Sequence, residues 1–541
     1  METLHLHTGT QDVECAAQLL RDGQLVAIPT ETVYGLAADA RNAAAVESIF
    51  AAKGRPQDNP LIVHISSLHQ LDGLVTDIPE IAHRLAAAFW PGPLTMIFKR
   101  DPSVPATVSA GLDTLAVRMP SHPTARALIA ASGCPLAAPS ANTSGRPSPT
   151  CAEHVLEDLN GRIAAVVDAG GCSVGLESTV IDVTCEPIRV YRPGAVTVEM
   201  LQSVVGQVQV STAVTRGLQE GEKALSPGMK YKHYAPKAAV TVVKGSARAF
   251  AAFVARRAAE AGEGEVAALC FDDEQHLLSV PSVCYGARGD ARAQARRLFD
   301  ALRALDQTGA KTVYAACPQT KGVGLAVYNR LLRAAGFSLK KLPYIIGLTG
   351  PTGAGKSEVA RYLNGHGCLH IDTDALARRA VEPGTACLQR LVDAFSADIL
   401  NQDGTLNRGE LARRAFADEQ HHQLLNSIVH PCVIDMTWQA VDAAWQDFVL
   451  IDAPLLFESG MHRMCDVTVA VLSDKEERKR RVRERDDASD RAIELRMSAQ
   501  PEDDFYLQRA DQLLLNDDTL ETLHMRTDAL MWTWREAVAD A

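Results

Sequence analysis

The stretch "GLTGPTGAGKS", residues 347–357, decides the fold of the last third of this 541-residue chain. The apolar run "YIIGL" leads into it and predicts a buried strand, and "EVARYL" follows it with helical spacing. Glycines at this spacing let successive backbone N–H groups point into one loop, and the next helix N-terminus adds partial positive charge. We therefore predict a nucleotide-phosphate loop between a strand and a helix. Its predicted nucleotide-binding residues are Gly350, Gly353, Ala354, Gly355, Lys356, Ser357 and Glu358.

Two further segments supply acidic groups that suit phosphoryl transfer. The strand-like run "CLHID" ends at Asp372, and Asp374 follows it. Asp374 could accept a proton from an attacking hydroxyl or could cap the next helix. The run "DFVLID" ends at Asp452, a candidate for holding Mg²⁺ together with the Ser357 hydroxyl. Lys356 has the length to reach the β- and γ-phosphates of a bound nucleotide.

The segment "SDKEERKRRVRERDDAS", residues 473–489, is densely charged. One interpretation is a solvated helix whose opposite charges pair along one face. The other is a mobile lid that brings arginines onto the transferring phosphoryl group. The two are compatible, because only one or two arginines need to turn inward.

Motifs outside the phosphate loop make this last block more specific. They are "IDTDALAR", "VEPG", "DGTLNRGELARRAF", "APLLFE" and "ADQLLLND". With them, residues 344–541 resemble dephospho-CoA kinase, a family that phosphorylates the ribose 3′-hydroxyl of dephospho-CoA with Mg·ATP. The resemblance implies that Asp374 is the base, that Lys356 and Ser357 serve the phosphates and the metal, and that Arg485 belongs to the lid.

The loop departs from the usual family pattern at three positions. Pro351-Thr352 replaces a glycine and a small apolar residue, and Glu358 stands where Ser or Thr often follows. Pro351 lacks an N–H, but none of the three changes removes a donor that catalysis needs.

The front of the chain has no such loop, but polar clusters interrupt its apolar strands. "IPTETVYGLAADA" (28–40) and "AAKGRPQDNPLIVHI" (51–65) place hydroxyls, amides and cations at strand ends. Arg118 is the most informative residue, because a guanidinium within an apolar run requires an anionic partner. Read alone, the K-x-R cluster could be a solvated helix end, and "SAN" could merely stabilise a turn. Together the clusters predict a cavity for a small anionic substrate and a nucleotide.

These motifs occur in a recognisable order. "PTETVYGL", "KGRP", "WPGPLT", "VRMPSHP", "APSANTSG", "ESTV" and "RPG" closely resemble threonylcarbamoyl-AMP synthase, which has the YrdC-like fold. The resemblance continues through "SPGMKYKHYAP" and "GLAVYNRLLRAA", which indicates the longer, two-domain form. The family joins L-threonine, bicarbonate and ATP to give threonylcarbamoyl-adenylate and pyrophosphate. The product feeds the N6-threonylcarbamoyl modification of adenosine 37 in tRNA.

The resemblance implies roles for individual residues of the front part. Lys53 would lie beside the nucleotide and contribute to catalysis, and Tyr234 would close over the site. No nucleophile or dedicated base is evident, so we expect catalysis by positioning and charge neutralisation. The implied L-threonine-binding residues are Thr32, His64, Arg118 and Ser178. The implied ATP-binding residues are Arg55, Asn59, Thr114, Ser140, Ser148, Arg192 and Tyr234.

The predicted fold class is a multidomain α/β protein. We expect a YrdC-like twisted α/β domain at 1–210 and a linker closing over the active site at 211–237. A small Rossmann-like α/β domain follows at 238–342. The P-loop kinase domain, with a parallel sheet and a helical lid, occupies 343–541.

Composition and charge limit which partners and which cellular location we expect for the chain. The net charge is −12, and residues from 344 onward hold 21 basic against 34 acidic side chains, so nonspecific nucleic-acid binding is expected to be weak or absent. The twelve cysteines form no C-x-x-C pair, and no apolar run suits a membrane span, so we expect a cytoplasmic protein. The expected small molecules are L-threonine, bicarbonate, ATP at two sites, dephospho-CoA and Mg²⁺. We expect the adenylate to pass to separate tRNA-modifying proteins.

Three alternatives compete with a fusion of two ATP-using enzymes. The front part could be an RNA-binding module, although its near-neutral charge argues against this. The last block could be a tRNA prenyltransferase, whose phosphate loop is similar, but "IDTDALAR" and "APLLFE" favour the kinase. One half could also be a degenerate scaffold, which the intact motifs argue against.

Overall fold

Three β-sheets organise the chain in the computed structural model, which describes residues 2–216, 234–486 and 489–540. Most of the predicted linker, at 217–233, lies outside the described residues. The chain divides into two compact units. The first unit comprises residues 1–244 and 254–340, and the second comprises 245–253 and 341–541.

The first sheet has twelve strands of mixed direction, in the order β1-β9-β2-β3-β8-β4-β7-β6-β10-β11-β12, with β5 beside β6. Its inner strands are apolar and mostly buried, whereas the edge strands β1 and β12 are largely exposed. The parallel pair β4–β7 sets His64 opposite Arg118. The strands are β1 (Leu4–Leu6), β2 (Val26–Ile28), β3 (Gly35–Asp39), β4 (Ile62–His64), β5 (Val75–Thr76), β6 (Leu94–Arg100), β7 (Thr114–Arg118), β8 (Leu136–Ala137), β9 (Ala165–Val167), β10 (Thr179–Asp182), β11 (Ile188–Arg192) and β12 (Val208–Val210).

Eight helices accompany this sheet. The second begins at the cap Asn42, whose side chain accepts from the Ala45 N–H, and ends at Gly54 with a φ of 61°. This left-handed cap is why a glycine follows the helix, as its pattern predicts. The helices are α1 (Thr10–Arg21), α2 (Ala43–Lys53), α3 (Glu80–Phe89), α4 (Ala106–Ser109), α5 (Pro123–Ser132), α6 (Ala152–Leu159), α7 (Val198–Val205) and α8 (Ala213–Arg216).

The second sheet has five strands in the order β15-β14-β16-β13-β17. Its strands β13, β14, β15 and β16 pair in parallel, as expected when helices connect successive strands. The strands are β13 (Ala239–Lys244), β14 (Val266–Cys270), β15 (Ser282–Cys284), β16 (Thr312–Ala316) and β17 (Leu339–Lys341), and the helices are α9 (Ala247–Glu260), α10 (Ala291–Ala304) and α11 (Gly322–Ala334).

The third sheet is parallel throughout, in the order β19-β20-β18-β21-β22. Its central strand β18 feeds the phosphate loop. The predicted charged segment, residues 473–489, contains helix α17, and α18 begins directly after it. The strands are β18 (Tyr344–Thr349), β19 (Leu369–Asp372), β20 (Phe448–Asp452), β21 (Val467–Leu472) and β22 (Gln512–Leu515). The helices are α12 (Lys356–Gly365), α13 (Thr373–Ala380), α14 (Ala386–Phe395), α15 (Arg408–Ala415), α16 (Glu419–Ala443), α17 (Lys475–Asp486), α18 (Asp490–Ser498), α19 (Asp503–Leu507) and α20 (Leu520–Asp540).

Membrane-spanning helices were searched for across the described ranges. None of the helices there combines the length and the apolar composition that crossing a bilayer requires.

Candidate active sites

A cavity of about 730 Å³ opens among the strand ends of the first sheet. All of its lining residues belong to the first unit. Four cations face it from different elements, which matches the prediction of a pocket for an anionic substrate. Of the sequence-predicted residues, the cavity wall contains Thr32, Lys53, Arg55, His64, Arg118, Ser140, Ser178, Arg192 and Tyr234.

Arg118 has the anionic partner that its apolar surroundings require. Its guanidinium lies 2.7 Å from a carboxylate oxygen of Glu31 and donates to the Thr32 hydroxyl at 2.7 Å. Burial is the largest influence and would raise the pKa of Glu31, but the charge and hydrogen bond of Arg118, together with backbone N–H donors including that of Ser121, outweigh it, and the net pKa is lowered. Glu31 therefore stays ionised and fixes the orientation of Arg118 at the end of β7.

His64 lies opposite Arg118 in the cavity wall, and its imidazole is neutral. Burial, reinforced by the neighbouring Arg118 charge, lowers the pKa of His64 to about 3. At neutral pH it can therefore offer one donor and one acceptor but no charge.

Lys53 is completely buried at the end of α2 and holds a neighbouring loop. Its ammonium donates to the backbone carbonyl of Ser140 and, at 2.5 Å, to that of Asn142. Burial is the main cause of a pKa well below the usual range for a lysine. Lys53 thus orders the "SAN" loop where that loop meets the cavity.

Arg55 and Arg192 are two further cations in the cavity wall. Arg55 donates to the carbonyls of Asn59 and Pro60, and Arg192 donates to the backbone and hydroxyl oxygens of Ser178 at 3.0 and 3.1 Å. Burial lowers the pKa of each guanidinium to about 10, so both stay protonated at neutral pH. Both therefore present donors in a fork geometry suited to phosphate.

Tyr234, the first residue described after 217–233, also lines this cavity. Its ring lies 5.0 Å from the Phe299 ring of α10, and its backbone has a φ of 65°. A buried aromatic residue in the left-handed region is costly and recurs at ligand clamps. Tyr234 thus forms part of the wall, and its closing role stays a prediction.

Glu177 and Arg330 form a buried ion pair at the cavity wall that the sequence does not predict. Glu177 lines the cavity, and the fully buried Arg330 of α11 donates to its carboxylate at 2.8 Å. Arg330 also donates to the carbonyls of Glu177 and Pro193, the residues beside Ser178 and Arg192. The sequence does contain a signal for Arg330, because this arginine lies among apolar neighbours in "YNRLLRAA", as Arg118 does in its own strand.

Three predicted ATP-binding residues do not reach the cavity wall. Thr114 begins β7, four residues before Arg118. Ser148 is fully buried and donates to the Glu177 carboxylate at 2.5 Å. The Asn59 side chain is buried, and within the described ranges its amide has no hydrogen-bond partner. The roles of Thr114, Ser148 and Asn59 towards ATP stay predictions.

A second cavity, of about 1210 Å³, lies over the phosphate loop of the third sheet. It is lined only by residues of the second unit. The wall combines loop amides, three carboxylates and three arginines. Of the predicted residues it contains Gly353, Gly355, Lys356, Ser357, Asp374, Asp452 and Arg485.

The loop has the backbone conformation that its glycines predict. Gly350 and Gly355 have φ values of 138° and 103°, which only glycine adopts readily. A Cβ on Gly355 would also collide with the Asn516 amide, which donates to the Ala354 carbonyl at 2.8 Å. Lys356 donates to the Gly350 carbonyl at 2.6 Å, across the loop.

The side chains of Glu358 and Ala354 do not line the cavity. The Glu358 carboxylate pairs with Arg361 and, at 2.9 Å, with His524. Ala354 is buried and donates its N–H to the Pro351 carbonyl at 3.2 Å. Contact of these two residues with nucleotide through the loop backbone stays a prediction.

Asp372, and not Asp374, caps α13. The Asp372 carboxylate accepts from the Ala375 N–H at 3.1 Å, whereas Asp374 does not cap the helix; both residues line the cavity. Loss of hydration around its carboxylate, reinforced by the charges of Asp372 and Asp452, raises the pKa of Asp374. A raised pKa is what a general base working near neutral pH requires.

The donors of this cavity suit a hard cation. The Ser357 hydroxyl and the carboxylates of Asp374 and Asp452 line one wall, and all three offer oxygen. Mg²⁺ prefers oxygen ligands and takes only one or two carboxylates beside phosphates and waters.

The charged segment has paired charges along its helix, and two of its arginines line the cavity; its role as a mobile lid stays a prediction. On α17, Arg480 pairs with Glu477 and Glu484 at 2.6 Å each. Arg481 and Arg485 of the same helix, with Arg496 of α18, line the cavity. Arg485 pairs with Asp486 at 2.6 Å and remains largely exposed. The next residue of the quoted motif, Asp487, lies outside the described residues.

An apolar cavity of about 700 Å³ adjoins the phosphate cavity. It lies between α13, α16 and the loop after β20, and His430 and Met461 contribute to its wall. Asp374 and Pro454 line both cavities. A molecule in the apolar cavity would therefore meet Asp374 beside the phosphate loop.

The two cavities define an ATP-using transferase with two separate active sites. A family model described as "Telomere recombination" matches residues 18–194, and one for the C-terminal domain of threonylcarbamoyl-AMP synthase matches 196–336. A dephospho-CoA kinase model matches 344–522. The chain belongs to the threonylcarbamoyl-AMP synthase family over its front part and to the dephospho-CoA kinase family over the remainder. It is a bifunctional enzyme that combines these two activities.

Individual relatives agree with this assignment. The threonylcarbamoyl-AMP synthase of Pyrococcus abyssi is 46% identical over 336 residues, which cover 61% of this chain and 96% of that protein. The dephospho-CoA kinase of Corynebacterium efficiens is 41% identical over 189 residues, 34% of this chain and 94% of that protein. A crystal structure of P. abyssi Sua5 complexed with L-threonine matches with 42% identity and a TM-score of 0.59, covering 63% of this chain and 100% of that one.

Proposed function

We propose that the first cavity binds L-threonine against Thr32, His64, Arg118 and Ser178. A neutral imidazole and hydroxyls suit the threonine hydroxyl and amine, and the Arg118 guanidinium suits its carboxylate. The L-threonine complex of the P. abyssi relative supports this assignment. ATP then lies towards Lys53, Arg55, Ser140, Arg192 and Tyr234, which line the same cavity. Asn59 acts through its carbonyl, which accepts from Arg55.

The reaction in this cavity uses positioning and charge neutralisation. The threonine amine combines with bicarbonate-derived CO₂ to give a carbamate. A carbamate oxygen then forms a bond to the α-phosphorus, and the bond from that phosphorus to the bridging oxygen of pyrophosphate breaks. Arg55 and Arg192 stabilise the negative charge that moves onto the departing pyrophosphate. Lys53 contributes by holding the loop that carries Ser140.

In the second cavity we propose phosphoryl transfer from ATP to the ribose 3′-hydroxyl of dephospho-CoA. Lys356 and the loop amides hold the β- and γ-phosphates, and Arg485 stabilises the transferring group. Asp374 takes the proton of the 3′-hydroxyl as the hydroxyl oxygen bonds to the γ-phosphorus, and the bond from that phosphorus to the bridging oxygen of ADP breaks. Ser357 and Asp452 would hold Mg²⁺, which supplies charge neutralisation on the phosphates when bound.

One observation carries the kinase proposal: Asp374 lines both the phosphate cavity and the adjoining apolar cavity. We assign the apolar cavity to the acceptor, because dephospho-CoA has an extended, partly apolar arm. A base shared by two cavities lies where an acceptor hydroxyl in one meets the γ-phosphate in the other.

The chain works on small molecules in this proposal. The adenylate passes to separate tRNA-modifying proteins, direct contact with nucleic acid is weak or absent, and the enzyme acts in the cytoplasm. The boundaries of the proposed domains are 1–210, 211–237, 238–342 and 343–541.

A paired assay tests whether the two sites are independent. Lys356→Ala is expected to abolish CoA formation and to leave threonine- and bicarbonate-dependent pyrophosphate release intact. Arg55→Ala is expected to do the reverse, because each cavity is lined by one unit only. Each variant serves as the folding control for the other. Loss of both activities from either change would contradict independent sites.

A further inference from the structure

Outside both cavities, two histidines and a carboxylate meet on the surface of the first unit. His5 lies within strand β1 and His7 directly follows it, and Asp168 directly follows β9. One ligand atom from each of the three residues lies within 4.8 Å of the others. Neither proposed reaction uses any of them.

The fold brings these residues together by simple strand geometry. Side chains two residues apart on a strand point to the same face, so His5 and His7 project together from "LHLH". The parallel register pairs Leu6 with Val167, and the Asp168 N–H donates to the Leu6 carbonyl at 2.8 Å. The carboxylate is thereby held beside the two imidazoles by backbone pairing.

The Asp168 carboxylate is oriented before any ligand arrives. Its Oδ1 accepts from the Gly170 N–H at 2.8 Å and lies 3.4 Å from the hydroxyl of the buried Tyr34. Its Oδ2 faces the Nε2 atom of His5. Holding one oxygen with protein donors and presenting the other is the usual arrangement of a carboxylate around a bound metal.

The spacing of the donor atoms suits a small ion. The distance from Nε2 of His5 to Oδ2 of Asp168 is 3.3 Å. Two ligands bound at about 2.0–2.1 Å in a tetrahedral site lie roughly 3.3–3.4 Å apart. His7 is exposed, so rotation of its side chain in solvent can close the remaining gap.

We propose that His5, His7 and Asp168 form a binding site for a divalent transition-metal ion of the zinc type. Two imidazoles and one carboxylate favour such an ion over Mg²⁺ or Ca²⁺, which take oxygen ligands. Water completes the coordination. Bound metal fastens β1, a three-residue strand at the edge of the sheet that pairs only with β9 in the strand order. The site is structural, and it links the edge strand through Asp168 to Tyr34.

Titration of the untagged full chain with Co²⁺ tests this site. We expect one Co²⁺ per chain with the visible absorption of a four- or five-coordinate ion, and displacement by Zn²⁺. His5→Ala and His7→Ala are each expected to weaken the affinity at least tenfold. His276→Ala, the same change at another exposed histidine, is expected to leave it unchanged. Asp168→Asn keeps an acceptor for Gly170 and should also weaken binding.

The same titration separates this site from binding by the twelve cysteines. Thiolate ligation adds a charge-transfer band, which a site of two imidazoles and a carboxylate lacks. Zn²⁺ is also expected to raise the melting temperature of the wild-type chain more than that of His5→Ala. Equal Co²⁺ affinity in wild type, His5→Ala and His7→Ala would overturn the proposal, as would a spectrum dominated by thiolate ligation. His5→Gln replaces His5→Ala if the latter misfolds.

Discussion

The two proposed phosphate-binding cavities both present positive charge and N–H donors, but different parts of the protein supply these groups in each. In the synthase cavity, buried side-chain cations from α2, β7 and β11 converge on one space. In the kinase cavity, one short loop and the first turn of α12 supply backbone amides, Lys356 and Ser357, and arginines of the charged helices face them. Side-chain cations must be desolvated and held in place by partners such as Glu31, whereas loop amides are positioned by the backbone itself.

This difference predicts how each site fails. A change in the loop acts locally, on phosphate binding. A change around the synthase cavity acts through a network that spans two sheets, because Arg330 of α11 reaches Glu177 in the wall. The following predictions test that contrast, beginning with the largest expected effect.

Asp374→Asn removes the proposed base and is expected to lower kinase kcat by about 10²–10⁴-fold. The synthase activity should be unchanged, because Asp374 lies in the other unit. Asp372→Asn is the matched control: asparagine caps helices as well as aspartate does, so α13 is retained. Coupled assays of CoA and pyrophosphate formation measure both activities. A kinase loss in Asp372→Asn equal to that in Asp374→Asn would remove the distinction between base and cap.

Arg330→Met leaves the Glu177 carboxylate without its buried partner. Breaking such a pair costs about 3–5 kcal/mol, so the first unit should unfold at lower denaturant concentration. The synthase kcat/KM should fall even where the chain is fully folded, because Arg330 holds the carbonyls beside Ser178 and Arg192. Kinase activity measured on the same folded sample should be unchanged.

Arg303→Met is the matched control for Arg330→Met. Arg303 of α10 also pairs with a carboxylate of the first sheet's domain, Asp158, at 3.0 Å. In Arg303→Met, Asp158 keeps a second partner, Arg146, at 2.6 Å. Neither Arg303 nor Arg146 lines the synthase cavity. We therefore expect a smaller loss of stability and little loss of kcat/KM. If both variants lose synthase activity in proportion to stability, Arg330 has no positioning role.

Gly355→Ala tests how strictly the loop depends on backbone conformation. At a φ of 103° the alanine is strained, and its Cβ collides with the Asn516 amide. A cost of about 1–3 kcal/mol is expected, and it should appear as weaker ATP binding to the kinase site. Gly365→Ala, at the end of the same helix with open space around it, should have no such effect. Equal ATP affinities in the two variants would contradict the strained-loop account.

The same contrast explains what the sequence could predict. The kinase loop was recognised from adjacent residues, because its strand, glycines and helix are contiguous and each has a local signature. In the synthase domain, residues far apart in sequence meet through strand register, such as His64 beside Arg118. Burial of Arg118 predicted an anionic partner, but only the fold identifies it as Glu31.

Other assignments depend on side-chain direction, which the sequence does not give. Thr114 and Arg118 belong to one strand, but only Arg118 is in the cavity wall. Ser148 is close to the site but turns towards Glu177. The choice between Asp372 and Asp374 as helix cap depends on where α13 begins, and helix ends are the least certain part of a pattern.

The smallest effect that we predict is a shift in a pH profile. Asp374 must be deprotonated to accept a proton, and its raised pKa moves the acid limb of kinase kcat/KM above that of an ordinary aspartate. Asp372→Asn removes one of the negative charges that raise this pKa, so the acid limb should move to lower pH while the plateau rate is kept. A limb that stays in place, or moves to higher pH, would mean that a group other than Asp374 controls the proton transfer.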